Sequence, residues 1–284
     1  MARVKLSFFR MIRAEWIKIF TVRSTGWILL LCILISIGLS AAFAASLQYS
    51  EVMLRRSSES SDLDPGAFGP LVVHVVMACG LFGQLFFMIL SILMITNEYS
   101  TGTVRSTFTV APRRIRVLIS KMLVLVVICV VTFAISVVAS WAVGYLILQN
   151  CVLTDLTLIS YTNLRIAGGF LAKMVLVSLF CFGLGAMIRS TAGSIGTSVA
   201  ILWVLPIIAA TVASMISGAG EPVGWREWIV KIGEFLPTNA GDLIIQENPS
   251  SRVFLPWGGT AALGGWAFGS IILAFIATAR RRIQ

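Results

Sequence analysis

Long runs of apolar residues alternate along the chain with short segments that carry nearly all of its charge. A helix needs about 20 such residues to cross the ~30 Å hydrocarbon core of a bilayer. Six runs are long enough, at residues 27–46, 71–96, 117–148, 170–188, 195–216 and 257–279. Because the alternation of a membrane β-barrel does not occur, the pattern predicts an all-α polytopic membrane protein with six transmembrane helices.

Two of the six runs predict departures from a straight, perpendicular helix. The third run is longer than one crossing requires, so we expect this helix to tilt or to project beyond the membrane. Pro206 lies inside the fifth run and predicts a kink, because proline cannot donate a backbone hydrogen bond. Composition adds that 58% of the residues are hydrophobic and 12% are charged, against about 25% charged in soluble domains. We therefore expect a single membrane domain over residues 1–284.

Basic residues are distributed unevenly between the two sides that six crossings would define. Fifteen of the 22 Lys and Arg residues fall on the side of both termini, and we call this the basic side. It contains only two acids, Glu15 and Glu98, whereas the opposite, acidic side contains the other ten. Positive residues are retained in the cytoplasm, so we expect the basic side and both termini to be cytoplasmic. This asymmetry explains most of the net charge of +10 without a nucleic-acid partner.

The segment before the first span has an amphipathic pattern. Apolar residues recur there at helical spacing: Phe9, Ile12, Trp16, Ile19 and Phe20. Because Arg10, Arg13 and Lys18 fall on other faces, the pattern predicts a helix over residues 3–23 that lies in the membrane interface beside anionic lipids. Such a helix either anchors the topology or also braces a partner docked from the cytosol.

A polar loop at residues 97–116 joins the second and third runs. Gly102 would let the chain turn, and Val104, Thr107 and Phe108 would share one face of a short helix. Pro112 would end that helix. A short helix between two spans is a lever when a partner grips it, and an ordinary hairpin connection otherwise. The residues alone leave both interpretations open.

The longest loop of the acidic side covers residues 217–256 and also has helical spacing. Its recurring apolar residues are Trp225, Trp228, Ile229, Ile232, Phe235 and Leu236. Charged residues are interleaved with them, which favours a re-entrant or interfacial helical hairpin. From the residues alone, such a hairpin would shield the ends of other helices.

Two isolated polar residues lie inside the apolar runs and are candidate pathway residues. Lys173 lies near the acidic-side end of the fourth run, where its long side chain would extend to the interface. A role with a substrate or an ion pair is the alternative, because a charge inside a membrane is costly. His74 lies near the acidic-side end of the second run, and we expect it to be a packing residue.

Enzyme chemistry has no support in the sequence. His74 is the one histidine, which excludes a Ser/His/Asp set, and no Cys/His cluster suggests a metal site. The phosphate-binding pattern G-x-x-x-x-G-K-[ST] does not occur. We therefore expect no cofactor on this chain and no enzyme activity of its own.

Four short motifs resemble the permeases of type-2 ATP-binding-cassette (ABC) exporters, and they occur in the family's order within a six-span layout. They are Ala14-Glu15-Trp16-x-Lys18 followed by Arg23-Ser24-Thr25, then Glu98-Tyr99-x-x-Gly102-Thr103-x-Arg105, then Arg189-Ser190-Thr191-Ala192-Gly193, and Leu236-Pro237-Thr238-Asn239-Ala240-Gly241.

The resemblance implies a bacterial cytoplasmic-membrane permease that pairs with a second permease copy. ATP and Mg would bind a separate cytosolic ATPase subunit, and the cargo would be an amphiphile such as a drug, lipid, peptide or polymer precursor. The residues that would couple to the ATPase are Glu98, Tyr99, Gly102, Thr103, Arg105, Thr107 and Phe108. Those of the interfacial helix, which would also touch the ATPase, are Glu15, Trp16, Lys18 and Arg23.

Two other functions remain alternatives. A gradient-driven secondary transporter usually carries carboxylates in mid-membrane, and no Asp or Glu lies in the middle of any of the six runs. A non-transporting scaffold or sensor component would use the same lever loop. The sequence does not separate this last function from transport.

Overall fold

The computed structural model describes residues 8–57, 68–100, 114–152, 154–217, 225–243 and 256–280. These residues are almost entirely helical, and the only β-type pairing among them is an isolated bridge between Pro70 and Asp155. Six helices are long and apolar enough to cross a membrane. The prediction of an all-α polytopic membrane protein is therefore confirmed.

Ten α-helices and one π-helical turn make up the described chain. In order, they are α1 (Phe8–Thr21), α2 (Arg23–Ser57), α3 (Leu71–Ser100), α4 (Arg114–Leu148), α5 (Tyr161–Ile188), α6 (Thr191–Val199), the π turn (Ala200–Val204), α7 (Leu205–Ser217), α8 (Trp225–Glu234), α9 (Pro237–Asp242) and α10 (Pro256–Arg280). The first to fourth spans are α2 to α5, the fifth comprises α6, the π turn and α7, and the sixth is α10.

The spanning helices are longer than the apolar runs that predicted them. α2 and α4 each contain 35 residues, or about 52 Å of helix, well beyond the ~30 Å hydrocarbon core. The length of α4 agrees with the expected tilt or projection. The length of α2 was not expected, because its last three turns are polar. A charge pair between Glu51 and Arg55, one turn apart, supports this end of α2.

The chain forms two compact units. Unit 1 consists of Met1–Val22, Phe87–Val127 and Val175–Gln284, and unit 2 consists of Arg23–Phe86 and Ile128–Met174. The buried side chains inside each unit are mainly apolar. In unit 1, Gly185 lies so close to the side chain of Ile95 that a Cβ atom would force a rearrangement. Such close contact between helices is typical of membrane proteins, where small residues let backbones approach.

Large apolar side chains also cover much of the outside. The second span is mostly buried, whereas the first, fifth and sixth spans leave most of their residues partly or fully exposed. Examples are Leu34 in α2, Ile207 in α7 and Phe268 in α10, all of which are more than half exposed. An apolar surface of this extent is unstable in water and stable in lipid or against another apolar chain.

The two predicted accessory helical elements are present. α1 is a separate helix before the first span, although residues 3–7 of the predicted 3–23 segment lie outside the described residues, and Arg23 already begins α2. Within the predicted 217–256 segment, α8 and α9 form a helical hairpin. The side-chain amide of Asn239 closes this hairpin by donating to the carbonyl of Gly233, at 2.9 Å.

Candidate functional site

Helix α1 presents three distinct faces. The face turned toward the rest of unit 1 consists of Met11, Ile12, Glu15 and Ile19. The exposed apolar face contains Phe9, Trp16, Ile17 and Phe20, and the exposed Arg13 lies between Phe20 and Ile17 around the helix. The exposed polar face includes Arg10, Lys18 and Thr21. A helix at a membrane surface requires this arrangement, with one face against protein, one against hydrocarbon and one against water.

An ion pair joins α1 to the third span. The Nζ atom of Lys121 lies 2.6 Å from Oε2 of Glu15, and Lys121 is only 1% exposed. Breaking such a pair from one side leaves an uncompensated charge in a low-dielectric environment, which costs about 3–5 kcal/mol. The pair therefore fixes the orientation of α1 against α4. The sequence motifs identify Glu15 as a candidate residue but do not indicate its partner Lys121, because 106 positions separate the two residues.

A second polar contact joins the end of α3 to the start of the fifth span. The hydroxyl of Thr191 donates to the hydroxyl of Thr96 at 2.9 Å. The turn before Thr191 is sharp, because Arg189 has a positive φ of 59° and Ser190 caps α6 by accepting from the backbone of Gly193. The motif that begins at Arg189 therefore forms a tight connection between the fourth and fifth spans.

The predicted coupling residues stand at the edge of the described chain. Gly102, Thr103, Arg105, Thr107 and Phe108 lie outside the described residues. Glu98 and Tyr99 belong to the last turn of α3, because this helix continues to Ser100 rather than ending at residue 96. The structure thus places the backbone of these two residues but not their side chains. The coupling role that the resemblance implies for Glu98 and Tyr99 stays a prediction.

The two intramembrane polar candidates have different environments. Lys173 is 4% exposed and its Nζ atom lies 5.3 Å from the centre of the Phe170 ring. Phe170 itself stacks on Phe133. Lys173 is therefore buried within unit 2 with its ammonium beside an aromatic ring, and its extension to the interface stays a prediction. His74 is half-buried with Nδ1 3.2 Å from the carbonyl oxygen of Pro70, which agrees with a packing role.

Sequence analysis missed a buried carboxylate at the end of α2. Glu51 is 4% exposed and accepts hydrogen bonds from Arg55, at 2.9 and 2.6 Å, and from the backbone of Val152, at 3.2 Å. The thiol of Cys151 also donates to Glu51. This cluster joins the end of α2 to the connection between α4 and α5. The spacing of Glu51 and Arg55 was the available signal, but the predicted first span ended at residue 46.

The hairpin contacts the fifth span where its backbone is irregular. Pro206 has no N–H group, so the carbonyl of Leu202, four residues earlier, loses its usual helical partner. A π turn at Ala200–Val204 lies directly before Pro206, and the predicted kink at this proline stays a prediction. The hydroxyl of Thr238 donates to the Leu202 carbonyl at 2.8 Å and satisfies it.

This contact bears on the two predicted types of hairpin. Leu202 lies 15 residues, or about 22 Å of helix, before the end of the fifth span at Ser217. The start of α9 therefore contacts the fifth span well inside its length, which favours the re-entrant type over one that only lies over the helix ends. α9 also packs tightly on the sixth span, because a Cβ atom at Gly259 would overlap the carbonyl oxygen of Ala240.

A cleft of about 520 Å³ lies beside the hairpin, the π turn and the sixth span. Its residues are Phe180, Leu184 and Met187 from α5, Ile201 from the π turn, Phe235 before α9, and Ala262, Gly265, Trp266, Gly269, Ser270 and Leu273 from α10. Almost all of these side chains are apolar. The sequence pattern does not predict this cleft, although it contains the glycines of α10 that line it.

The Glu15–Lys121 ion pair and the Thr191–Thr96 hydrogen bond can transmit movement between helices. The cleft can bind an apolar group. No group of three or more His, Cys, Asp or Glu side chains suited to a metal ion occurs in the described ranges. Comparison with known proteins adds no relative, since no protein-family model matches the sequence and no curated protein matches it significantly.

Proposed function

We propose that this chain is the membrane-spanning permease subunit of an ATP-driven exporter of the type-2 ABC class. It would move an amphiphile outward across a bacterial cytoplasmic membrane, with both termini in the cytoplasm. A separate cytosolic subunit would bind ATP and Mg and hydrolyse the nucleotide. The four family-like motifs and the six-span architecture support this assignment.

One observation carries the mechanical part of the proposal. The loop at residues 101–113 connects α3 to α4, and both helices are bonded to other elements close to this loop. Thr96 of α3 bonds to Thr191 at the start of the fifth span, and Lys121 of α4 pairs with Glu15 of α1. A force applied to the loop would therefore reach four elements rather than two, as a permease gripped by an ATPase requires.

A permease of this class would work as a pair of membrane subunits. The first, fifth and sixth spans leave most of their residues partly or fully exposed, so one monomer leaves large apolar faces uncovered. A second permease copy or lipid would cover them. The proposal includes a dimer, either of identical chains or of related ones.

The gradient-driven alternative receives little support from the described carboxylates. Glu51 is the one buried acid among those whose burial is described. It lies near a helix end, and Arg55, Cys151 and Val152 all donate to it, as expected of a structural group. A carrier of protons or sodium ions would need a carboxylate free to change its partners.

The partner ATPase is the first test. The tagged chain is purified from its native membrane in mild detergent, and co-purifying proteins are identified by mass spectrometry and assayed for ATP hydrolysis. We expect an ATPase with a phosphate-binding loop at a stoichiometric ratio. Arg105→Glu should reduce its recovery by at least roughly tenfold, because reversing an interface charge replaces attraction with repulsion.

Arg56→Glu is the matched control, since Arg56 is exposed at the end of α2 on the acidic side. This variant should recover the ATPase as well as the wild-type chain does. Failure to find an ATPase in several mild detergents would contradict the proposal. Equal loss with both variants would show that the charge reversal acts on folding and not on a docking surface.

A further inference from the structure

The α8–α9 hairpin is held tightly against the sixth span. A Cβ atom at Gly259 of α10 would overlap the carbonyl oxygen of Ala240, so the two backbones are in direct contact. Two turns later along α10, the indole nitrogen of Trp266 donates to the carbonyl of Phe235 at 2.9 Å. These contacts extend over about 10 Å of α10 and involve backbone groups of the hairpin. The hairpin and the sixth span should therefore move as one body.

The contact of the same hairpin with the fifth span is looser. An added Cβ atom at Gly233 of α8 would lie 3.5 Å from the Cβ atom of Ala209 in α7, an ordinary contact distance, so a methyl group would fit there. A polar contact is made by the side-chain hydroxyl of Thr238, which donates to the carbonyl of Leu202 at 2.8 Å. A threonine side chain can leave such a bond by changing its rotamer, without a change in either backbone.

The Leu202 carbonyl accepts this bond because its usual helical donor is missing. Pro206, four residues later, has no N–H group. Just before this proline, the N–H of Leu205 bonds to the carbonyl of Ala200, five residues earlier, so the turn is wider than an α-helical one. Loss of the hairpin hydroxyl would cost one carbonyl its donor and would break no backbone hydrogen bond of the fifth span.

Space for movement lies beside this contact. Ile201 of the π turn and Phe235 of the hairpin both line the cleft of about 520 Å³. A closely packed interior resists the sliding of one helix past another, because it has no spare volume. At this place the volume is available, so a shift of the hairpin relative to the fifth span meets less resistance.

We propose that the hairpin is a strap that moves with the sixth span and is latched to the fifth span by Thr238. In this structure the latch is closed. Opening it would separate the hairpin from the π turn, change the shape of the cleft and leave the contacts with α10 intact. The latch does not depend on the proposed ATP-driven function.

Distances between spin labels test the latch. Labels are attached to cysteines that replace Ile207 on α7, Ile232 on α8 or Phe268 on α10, in a Cys151→Ser background. Each of these three side chains is more than 60% exposed. One label pair, at positions 207 and 232, joins the fifth span to the hairpin, and the other, at 232 and 268, joins the hairpin to the sixth span. The labelled chain is diluted with unlabelled chain in lipid nanodiscs, so that distances within one chain are measured.

The latch can be weakened from either side of its hydrogen bond. Thr238→Val removes the donor, and Pro206→Ala gives the Leu202 carbonyl a backbone donor of its own. With either change, we expect a second, longer distance for the 207–232 pair, with its population at least roughly fivefold above the wild-type value. Thr238→Ser is the matched control, because it keeps the hydroxyl and should give the wild-type distribution. The 232–268 pair should keep a single distance throughout.

The tight contact with the sixth span has its own test. Gly259→Ala would push the Ala240 carbonyl away, so it should change the distance of the 232–268 pair. Gly264→Ala is the control, because an added Cβ atom there meets no other atom within 4 Å and should change nothing.

Three outcomes would overturn the proposal. The first is an unchanged 207–232 distance in Thr238→Val and in Pro206→Ala, and either variant decides the matter when the other does not fold. The second is the same change with Thr238→Ser as with Thr238→Val, which would show that the hydroxyl is not the latch. The third is a shift of the 232–268 pair in Thr238→Val, which would show that the hairpin does not move with the sixth span.

Discussion

At the scale of single residues, the buried charges show where this protein tolerates polar groups inside an apolar fold. Lys121 is almost fully buried, and the Glu15 carboxylate that compensates its charge lies 2.6 Å away. Glu51 is equally enclosed, and several donors compensate its charge. Both groups hold a segment to a spanning helix, so their role is to connect elements.

Removing Lys121 should therefore destabilise the fold through the partner that it leaves behind. We expect Lys121→Met to lower the free energy of unfolding by about 3 kcal/mol, since Glu15 would remain half-buried without its cation. The double variant Glu15→Met/Lys121→Met should regain much of this loss, because neither charge is then left unpaired. Thermal unfolding followed by intrinsic fluorescence measures both effects.

Lys18→Met provides the control for this pair, since Lys18 lies on the exposed polar face of α1. It should change the melting temperature little. Additive losses in the double variant would show that the ion pair contributes no coupling.

At the scale of elements, the fifth span and the hairpin complete each other. Pro206 removes one backbone hydrogen bond from the span, and Thr238 of the hairpin supplies a replacement at the Leu202 carbonyl. In a membrane an unsatisfied carbonyl has no water to bond to, so this replacement is worth more than a surface contact. The fifth span with its π turn and the α8–α9 hairpin therefore stabilise each other.

This dependence predicts that replacing Pro206 suppresses the loss of stability caused by replacing Thr238. Thr238→Val should destabilise the protein by about 1–2 kcal/mol, because it removes the hydroxyl that donates to the Leu202 carbonyl. Pro206→Ala restores a backbone N–H at the position that normally bonds this carbonyl, so Thr238→Val should then cost little. The free energies of unfolding of the wild-type chain, the two single variants and the double variant give the coupling energy directly.

Thr211→Val is the matched control for Thr238→Val. Its hydroxyl bonds to the carbonyl of Ile207 within the same helix and is exposed, so the same change should be nearly neutral. An equal cost at both positions, or no suppression by Pro206→Ala, would contradict the proposed exchange of donors.

At the scale of the whole molecule, successive connections between the six spans fall alternately on the acidic side and on the basic side. Cys151 lies in the connection between α4 and α5, on the acidic side, and is half-buried. The other four cysteines are buried within the spans. A thiol reagent that does not cross membranes should therefore report on one position of the native chain.

We expect such a maleimide to label Cys151 in intact cells, because the acidic side should face outward. In a Cys151→Ser background, Lys18→Cys should be labelled only in inverted vesicles, because Lys18 is exposed on α1 on the opposite side. Labelling with the reverse sidedness would place both termini outside and remove access of a cytosolic ATPase to the lever loop.

Local features of the fold were predictable from sequence, because each depends on neighbouring residues. The six spans follow from apolar length, and α1 follows from a helical repeat. The type of accessory hairpin was not predictable. Only its contact with Leu202 favours the re-entrant type, and 36 positions separate the two bonded residues.

Much of the candidate site escaped sequence analysis for the same physical reason. The partner of Glu15 is 106 positions away, and the donors from Cys151 and Val152 lie about 100 positions from Glu51. A periodic pattern carries no information about such pairs. Lys173 shows a further limit, since its burial within unit 2 could not be read from its position in an apolar run.

The bond between Thr238 and Leu202 also has a consequence for how the protein is made. The fifth span emerges from the ribosome before the hairpin, so its Leu202 carbonyl stays without a donor until 36 more residues have been synthesised. During that interval the translocon must hold a segment that is costly to release into lipid. Membrane insertion of this span is therefore completed by residues made after it, and chains truncated before Thr238 should be retained at the translocon.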